Sequence, residues 1–418
     1  MNSNSFSTSL LAVLACALFS CKKNHDEPSG TMTINFSALR VNKGTSELII
    51  SEPGGKILLD ELSPFDQITA TLKTDKTLVD VTMIDSASSG TGPLGTTYYV
   101  RSYMGVDPGS WTNFNDQNPG MPVMSLPEKS ANVLFKHFPV GSLSGMVLSD
   151  NGNDFTTHYD SDPPIDLTAD YVNISYRQHG TRNYLYFLLP VPGLYKFHLI
   201  TGLTDTVDLA QMDTVVKINF RKPSNYVMNQ TTLTGFPDTT NYDQSVMLYN
   251  NTLAPAGSPD LEYPRTQIQK MELYTSANDD ENQISANYYS FGLSIPTTLP
   301  FPEASSIAFP ALQPDKFSAE VNAPLAPSYY ISSWKNSKAG GSVFYSPDVP
   351  AVNLAAFLSS LKSKLLKGQS FSDLKYISFQ FGSIDGLDYP SYSAYVHNLE
   401  RIVQRRAAVT TSVLKTFQ

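Results

Sequence analysis

The chain has 418 residues, of which 16% are charged, and its net charge is −9. This length allows several hydrophobic cores, and the mildly acidic balance argues against nucleic acid as a partner because phosphate contacts need clustered Lys and Arg. The charged fraction is below the roughly 25% typical of globular domains, while 23 Tyr, 22 Phe and 28 Pro residues indicate short strands joined by turns rather than helices.

The N-terminus carries the pattern of an export signal. Residues 1–20 contain no acidic or basic side chain and include the apolar run Leu10–Phe19. That run is too short for a membrane span, which needs about 20 apolar residues, and fits the apolar region of a secretory signal. The residues Leu18-Phe19-Ser20-Cys21 resemble the lipobox of bacterial lipoproteins. The resemblance implies that signal peptidase II removes residues 1–20 and that Cys21 carries the lipid.

Residues 21–32 are predicted to be a flexible tether after the lipidated cysteine, because Lys22–Thr31 contains no apolar side chain. The Ser-Cys-Lys-Lys start is similar to that of many lipoproteins of the Bacteroidota. In enteric lipoproteins an Asp after the cysteine retains the protein at the inner membrane. Lys22 therefore implies an outer-membrane lipoprotein, on the periplasmic side or at the cell surface, whose lipid is its predicted membrane anchor.

Cysteine usage sets a further expectation. The chain has two cysteines, Cys16 in the predicted signal and Cys21 at the predicted cleavage site. The exported part would then contain no free thiol and no disulfide, so its core alone has to hold the fold.

Residues 33–110 show the pattern of an N-terminal β-sandwich. The segment Thr33–Leu39 alternates apolar and polar side chains, as a half-buried strand does. Glu52-Pro-Gly-Gly55 lies between two apolar segments and is a hairpin signature. Further strands are expected at 67–72, 78–84 and 98–104.

After this region the sequence predicts a linker and two β-rich units. Residues 111–130 are rich in Asn, Pro and Gly and are assigned to the linker. A second β-rich domain is predicted over 131–262 and a C-terminal one over 263–418, with 131–418 as one larger unit as the alternative. The expected strands include 132–138, 171–176, 184–189, 193–200, 215–220, 267–274 and 375–381.

One amphipathic helix is expected near 353–367. Its apolar stripe has helical spacing, Pro350 precedes it and Gly368 is placed to end it. The stripe consists of Leu354, Phe357, Leu358, Leu361 and Leu365. The predicted fold class is therefore all-β, with two or three β-sandwich-like domains of immunoglobulin-like or jelly-roll-like type and this single helix.

The sequence nominates no catalytic residue. Gly141-Ser-Leu-Ser-Gly145 places Leu143 where a nucleophile elbow needs serine. Ser359-Ser-Leu-Lys362 matches the Ser-x-x-Lys of penicillin-binding enzymes, but the supporting Ser-Asp-Asn and Lys-Thr-Gly motifs are absent from the chain. No two histidines have the spacing of a zinc-binding helix.

One acidic segment offers a calcium hypothesis. Residues 149–162 are dense in oxygen ligands, of which Asp150, Asp154, Asp160 and Asp162 are the candidate Ca²⁺ ligands. The spacing differs from that of an EF-hand, and the alternative is a set of solvated turns. No other cofactor is expected.

Clustered aromatic residues suggest a binding surface. Trp111 and Phe114 lie in a loop-like stretch, and Tyr329, Tyr330 and Trp334 form a second group. Exposed rings stack on sugar faces or anchor protein partners, although β-sandwich cores use the same residue types.

These patterns favour a non-catalytic binding or interaction module of the cell envelope, with a glycan or an envelope protein as its partner. One alternative is a polysaccharide hydrolase with paired carboxylates, since two such groups need only lie about 5–10 Å apart in space. The other is a structural subunit of a surface assembly, which a free strand edge or a terminal donor strand would support.

Overall fold

The computed structural model of the protein describes residues 30–37, 45–63, 67–87, 97–111, 128–137, 147–149, 154–156, 169–177, 183–189, 193–239, 245–250, 261–264, 266–371, 373–398 and 407–417. The predicted signal peptide, Cys21 and most of the predicted tether lie outside these ranges. The first strand begins at Gly30, and Met32 is fully buried. Residues 30–32, predicted to be the end of the tether, therefore belong to the folded part of the chain.

The described residues are mostly strands, as the composition predicts, and the all-β, sandwich-like fold class is confirmed. The N-terminal strands are β1 (Gly30–Ser37), β2 (Ser46–Ser51), β3 (Ile57–Ser63), β4 (Gln67–Thr74), β5 (Val79–Ala87), β6 (Thr97–Val106) and β7 (Ser110–Trp111). The middle of the chain contributes β8 (Glu128–Lys136), β9 (Val147–Ser149), β10 (Asp154–Thr156), β11 (Ala169–Arg177), β12 (Asn183–Leu189), β13 (Leu194–Ile200), β14 (Thr204–Asp208), β15 (Asp213–Ile218), β16 (Val227–Phe236), β17 (Val246–Asn250) and β18 (Leu261–Pro264).

The C-terminal region contributes eight more strands and two helices among the described residues. The strands are β19 (Lys270–Asp279), β20 (Ile284–Gly292), β21 (Ile307–Gln313), β22 (Lys316–Val321), β23 (Tyr329–Lys335), β24 (Ala339–Tyr345), β25 (Lys375–Ile384) and β26 (Val409–Thr416). The helices are α1 (Leu354–Ser360) and α2 (Tyr389–Val396), and a 3-10 turn covers Ala304–Ser306.

A 12-stranded sheet, called the large sheet below, is the centre of the fold. Its order is β17-β16-β19-β20-β26-β25-β23-β24-β6-β5-β2-β3. A second sheet has the order β10-β9-β12-β13-β15-β18, and smaller sheets are formed by β4-β1-β7, by β11-β8-β14 and by β21-β22. Most neighbouring strands are antiparallel, whereas β24 pairs with β6 in parallel.

The parallel pair β6–β24 changes the predicted domain organisation. It joins residues 97–106 to residues 339–345 in one sheet, so the N-terminal strands and the C-terminal strands are not separate sandwiches. Strands β16 and β17, assigned to the second predicted domain, also belong to the large sheet. The physical reason is that several N-terminal strands are apolar on both faces and need cover from elsewhere in the chain.

Strand β2 illustrates this two-sided burial. Every residue from Glu47 to Ser51 is buried. Leu48 and Ile50 belong to one hydrophobic core, together with Met32 of β1. Ile49, on the opposite face, belongs to a second core, which also contains residues of β12, β19 and β25. A strand covered on both faces has a continuous apolar run, which is the pattern Leu-Ile-Ile in the sequence.

The terminal strands of the described chain are internal to their sheets. Strand β1 lies between β4 and β7, and β26 lies between β20 and β25. Both therefore already have two hydrogen-bonded neighbours within the chain. The edges of the large sheet are β17 and β3.

The helical prediction needs correction. Helix α1 begins where predicted, with the Asn353 side chain accepting a hydrogen bond from Ala356 N at 2.9 Å. It ends at Ser360 rather than near residue 367, and Lys362 adopts a positive φ of 49° that a helix does not accommodate. Leu361 is still buried and Leu365 is partly buried, so turns rather than a longer helix cover the end of the apolar stripe.

A second helix, α2, was not predicted. Its first turn is capped by Asp388, whose side chain accepts a hydrogen bond from Ser391 N at 3.0 Å, and a proline lies in that turn. The local start signal is therefore present in the sequence. Tyr389, Tyr392 and Val396 bury one side of this helix in the core that contains β1.

Candidate functional site

The predicted aromatic binding surface is wrong for the four residues that the structure describes. Trp111 is 2% exposed and its ring stacks on that of His397, with 3.8 Å between the ring centroids. Tyr329, Tyr330 and Trp334 are 5%, 6% and 0% exposed. The fifth predicted residue, Phe114, lies outside the described residues.

The burial of the β23 aromatics follows from the position of that strand. It is internal to the large sheet and covered on both faces, so its alternating side chains enter two cores. Tyr329 stacks on Tyr392 with ring centroids 4.3 Å apart. Tyr330 packs edge-to-face with Phe379, and their ring centroids are 5.0 Å apart. These contacts make the rings structural, because a buried ring cannot stack on a sugar.

The calcium hypothesis falls mostly outside the described residues. Asp150, Asp160 and Asp162 lie outside them, and Asp154 is described only as the first residue of β10. Among the side chains that the structure describes, no group of three His, Cys, Asp or Glu residues is arranged to hold a metal ion. The hypothesis stays a prediction.

The described histidines contact carboxylates or rings. His137 Nδ1 lies 2.8 Å from Asp208 Oδ1, and His198 Nε2 lies 3.2 Å from Asp205 Oδ2. Burial acts to raise the pKa of Asp205, but hydrogen bonds from two backbone N–H groups and from His198 outweigh it and lower that pKa. The first pair links the residue after β8 to the end of β14, and the second links β13 to β14.

An open groove of about 450 Å³ lies beside the β2–β3 hairpin. We call it the lysine groove and define it by its lining residues, which are Glu52, Lys56, Leu58, Lys73, Thr74, Asp75 and Lys76. Three lysines and two carboxylates give it one net positive charge, whereas the chain as a whole has a net charge of −9. The net charge of the groove is thus opposite in sign to that of the rest of the protein.

The groove is built by two neighbouring chain turns. The hairpin turn is closed by hydrogen bonds from Glu52 N to Lys56 O at 2.8 Å and from Gly55 N to Glu52 O at 2.9 Å. Gly54 and Gly55 have φ values of 106° and 97°, which glycine adopts without strain. The second turn follows β4, where the buried Thr74 Oγ1 accepts a hydrogen bond from Lys76 N at 3.1 Å.

Ion pairs within the groove converge on one oxygen atom. Glu52 Oε1 lies 3.3 Å from Lys56 Nζ and 3.5 Å from Lys76 Nζ. The Lys56 side chain is 76% exposed and the Lys76 side chain 40% exposed, so both ammonium groups also face solvent. Lys73 is exposed at the end of β4, and within the described part of the chain it has no ion-pair partner.

A buried carboxylate holds the hairpin against the C-terminal region. Glu47 of β2 is fully buried and accepts hydrogen bonds from Lys364 N at 2.7 Å, from Leu365 N at 3.1 Å and from Ser363 Oγ. On β3, Asp60 Oδ2 lies 2.9 Å from Lys364 Nζ. The segment after α1 is thereby fixed to both strands of the hairpin.

The turn of the hairpin is fixed as well. A Cβ atom placed on Gly55 would lie 3.2 Å from Ser360 Cβ and Oγ at the end of α1. This close approach, together with the Glu47 contacts, means that the groove is preformed rather than assembled by its ligand.

A second groove of about 410 Å³ lies at the β19–β20 turn and the end of β26. Its lining includes Asp279 and Asp280. Asp279 accepts hydrogen bonds from Asn282 N at 3.1 Å, from Asn282 Nδ2 at 2.8 Å and from Asn225 Nδ2. Burial acts to raise the pKa of Asp279, but these bonds and the charge of Lys415 lower it. This carboxylate stabilises a turn and is unsuited to donating a proton.

Sequence reasoning missed the lysine groove, although one signal was available. The pattern Glu52-Pro-Gly-Gly55 predicts the hairpin, which is confirmed by the antiparallel pairing of β2 with β3. Nothing in the sequence places the end of β4 beside that turn, because β4 pairs with β1 in a different sheet.

Comparison with known proteins leaves the family open. No protein-family model matches the chain, and no curated protein matches it. Within the described ranges, no helix is both long enough and apolar enough to cross a membrane.

Proposed function

We propose that this protein is a lipid-anchored, non-catalytic binding module of the cell envelope, which binds a glycan or an envelope protein in the lysine groove. The observation that carries the proposal is the groove itself, a concave, charged surface formed by two turns on a rigid β scaffold. Binding residues are commonly presented in this way, on loops positioned by a folded core.

The membrane part of the proposal rests on the lipobox-like residues Leu18-Phe19-Ser20-Cys21 and on the polar segment after them. A lipid on Cys21 holds the binding module at the outer membrane, on its periplasmic side or at the surface. The test is incorporation of a labelled fatty acid by cells that express the full chain or its Cys21→Ser variant. We expect label only in the chain that retains Cys21, and equal labelling of both would contradict the anchor.

The groove geometry favours binding over hydrolysis. A glycosidase acid keeps its proton at the working pH and needs a raised pKa. In the lysine groove, Glu52 Oε1 forms ion pairs with the ammonium groups of Lys56 and Lys76. In the second groove, Asp279 has a lowered pKa. Asp279 therefore does not suit the acid role, and the Glu52 carboxylate is already engaged by two lysines.

A structural-subunit role in which β1 or β26 is donated to another chain is also less favoured. An assembly built by strand donation uses a terminal strand that can leave or enter a sheet. Here β1 and β26 are each hydrogen-bonded to two strands of the same chain. Releasing either would expose two unpaired strands.

The test of the binding function is a panel of polysaccharides and envelope proteins presented to the detergent-extracted full-length lipoprotein. Wild-type protein is measured beside the double variant Lys73→Ala/Lys76→Ala and beside Lys335→Ala. Lys335 is an exposed residue of β23, separated from β2 by β24, β6 and β5. We expect binding by wild type and Lys335→Ala and its loss in the groove variant. Binding that the groove variant retains would place the site elsewhere and overturn the proposal.

A further inference from the structure

The charges of the lysine groove indicate which ligand it takes. We propose that the groove binds an anionic glycan through a carboxylate or sulfate group, and that Glu52 is an internal counter-ion which the ligand displaces from the lysines. This inference rests on the proposed function, since it names the ligand class of the same groove.

The first support is the arrangement of the ammonium groups. Lys56 and Lys76 both approach the single atom Glu52 Oε1, at 3.3 and 3.5 Å. Each ammonium group has three N–H donors, so one carboxylate oxygen leaves most of them for other acceptors. A ligand carboxylate has the same charge and acceptor geometry as the Glu52 side chain, and a sulfate ester has the same charge and three terminal acceptor oxygens. Glu52 therefore contacts the two lysines in the way that an anionic group of the ligand would.

The second support is the remaining charge. Lys73 has no ion-pair partner in the described ranges, and it lies in the same groove as the Glu52 cluster. The groove carries one net positive charge although the whole protein carries −9. An anionic ligand is attracted by the net positive charge of this groove and repelled by the net negative charge of the rest of the protein.

The lining also distinguishes a glycan from a protein partner. Protein–protein interfaces derive much of their binding energy from buried aromatic and other large apolar side chains. Leu58 is the one large apolar residue among the lining residues of this groove. Lysines, a threonine and two carboxylates are instead suited to the charged groups and hydroxyls of an acidic sugar.

Thr74 and the hairpin glycines keep these groups in place. Thr74 Oγ1 binds Lys76 N, and the turn that bears Glu52 and Lys56 is packed on Ser360. The backbone positions of two lysines are therefore set before a ligand arrives. A preformed site loses less conformational entropy on binding than a flexible one.

If Glu52 competes with the ligand for the lysines, replacing it should strengthen the binding of the ligand. Glu52→Gln removes one negative charge next to two lysines while keeping the size of the side chain. The interaction of two unit charges about 4 Å apart in water corresponds to roughly a fivefold change in affinity. We expect Glu52→Gln to bind an anionic glycan about fivefold more tightly than wild type.

The experiment measures the affinity of the detergent-extracted full-length protein for polygalacturonate, for dextran sulfate and for uncharged dextran. The two anionic polymers separate a carboxylate from a sulfate ligand. Wild type, Glu52→Gln, Lys73→Ala/Lys76→Ala and the control Lys335→Ala are compared at two salt concentrations. We expect binding of at least one anionic polymer and none of dextran, at least a tenfold loss in the double lysine variant, and weaker binding at the higher salt concentration.

The outcomes separate this inference from the proposed function. Binding of dextran as tight as that of the anionic polymers, or weaker anion binding by Glu52→Gln, would overturn the inference while leaving the groove as the site. Binding only to an envelope protein, lost in the lysine variant, would also overturn it and keep the binding function. A ligand whose affinity is the same for wild type and the lysine variant would overturn both. Thermal unfolding of each variant checks that the change is confined to the groove.

Discussion

Replacing the buried carboxylate of Glu47 should destabilise the protein by a large fraction of its total stability. Glu47 Oε1 accepts a hydrogen bond from Lys364 N, and Oε2 accepts from Leu365 N and Ser363 Oγ. Glu47→Gln replaces one of these oxygens with an NH₂ group that is itself a donor. At least one buried donor then loses its acceptor.

The size of the effect follows from these contacts. A buried donor left without an acceptor costs about 1–3 kcal/mol, and a hydrogen bond to a charged group contributes about 1.5–3 kcal/mol. We expect Glu47→Gln to lower the free energy of unfolding by about 2 kcal/mol and Glu47→Ala, which removes both acceptor oxygens, by about 4 kcal/mol. Whole domains are stable by only about 5–15 kcal/mol.

The assay is urea unfolding of the full-length chain, in which the midpoint should fall while the slope stays unchanged. The matched control is Glu61→Gln on the neighbouring strand β3, where the side chain is exposed and the change should stay within about 0.5 kcal/mol. A Glu47→Gln protein as stable as this control would refute the reasoning, because it would mean that the segment after α1 does not depend on Glu47.

Three further predictions concern the core and the turns. Trp334→Phe should lower the free energy of unfolding by only about 1 kcal/mol, because the buried Nε1 has no hydrogen-bond acceptor among the described residues. Trp334→Ala, which leaves a cavity, should lower it by about 3–5 kcal/mol. Urea unfolding midpoints compare the two variants. Gly341→Ala should cost more than about 3 kcal/mol in the same assay, since the new Cβ would lie 1.9 Å from Val100 O; wild-type stability would contradict the β6–β24 pairing. The lowered pKa of Asp279 implies stability that is present above the unfolded pKa of about 3.9 and is lost as pH falls through the folded value. Melting temperatures from pH 6 to pH 2 should therefore fall less in Asp279→Asn than in wild type, and parallel curves would contradict this.

Local patterns predicted individual strands well. The alternation around residues 193–200 corresponds to β13, and that of residues 375–381 corresponds to β25. The Glu52-Pro-Gly-Gly55 turn could be predicted from its two adjacent glycines, and both have the positive φ angles that such a turn requires. In each case the signal lies within a few neighbouring residues.

Other strands could not be predicted because their apolar and polar residues do not alternate regularly. Strand β16 has the sequence VMNQTTLTGF, in which threonines and polar residues outnumber the large apolar ones. Its place in the large sheet is set by the neighbours β17 and β19. The end of α1 was missed for a different reason, since Leu361 and Leu365 have the four-residue spacing of a helix although the positive φ of Lys362 between them ends the helical backbone.

The domain boundaries and the candidate site depend on contacts between distant parts of the chain. Gly341 pairs with Val100, and Ser363 contacts Glu47, but no local pattern connects these residues. The aromatic clusters misled because Tyr and Trp serve cores as well as binding surfaces, and only the pairing of β23 on both sides shows that Trp334 is internal. The lysine groove was missed because β4 reaches the hairpin from another sheet.

The central claim is that the lysine groove is a ligand-binding site, and side-by-side affinities of wild type and Lys73→Ala/Lys76→Ala for one ligand test it most directly. The ligand is the member of the glycan and envelope-protein panel that wild type binds most tightly. The account predicts at least a tenfold loss of affinity in the double variant, with an unchanged melting temperature. Equal affinity of the two proteins would contradict it and would show that the ligand binds at another surface.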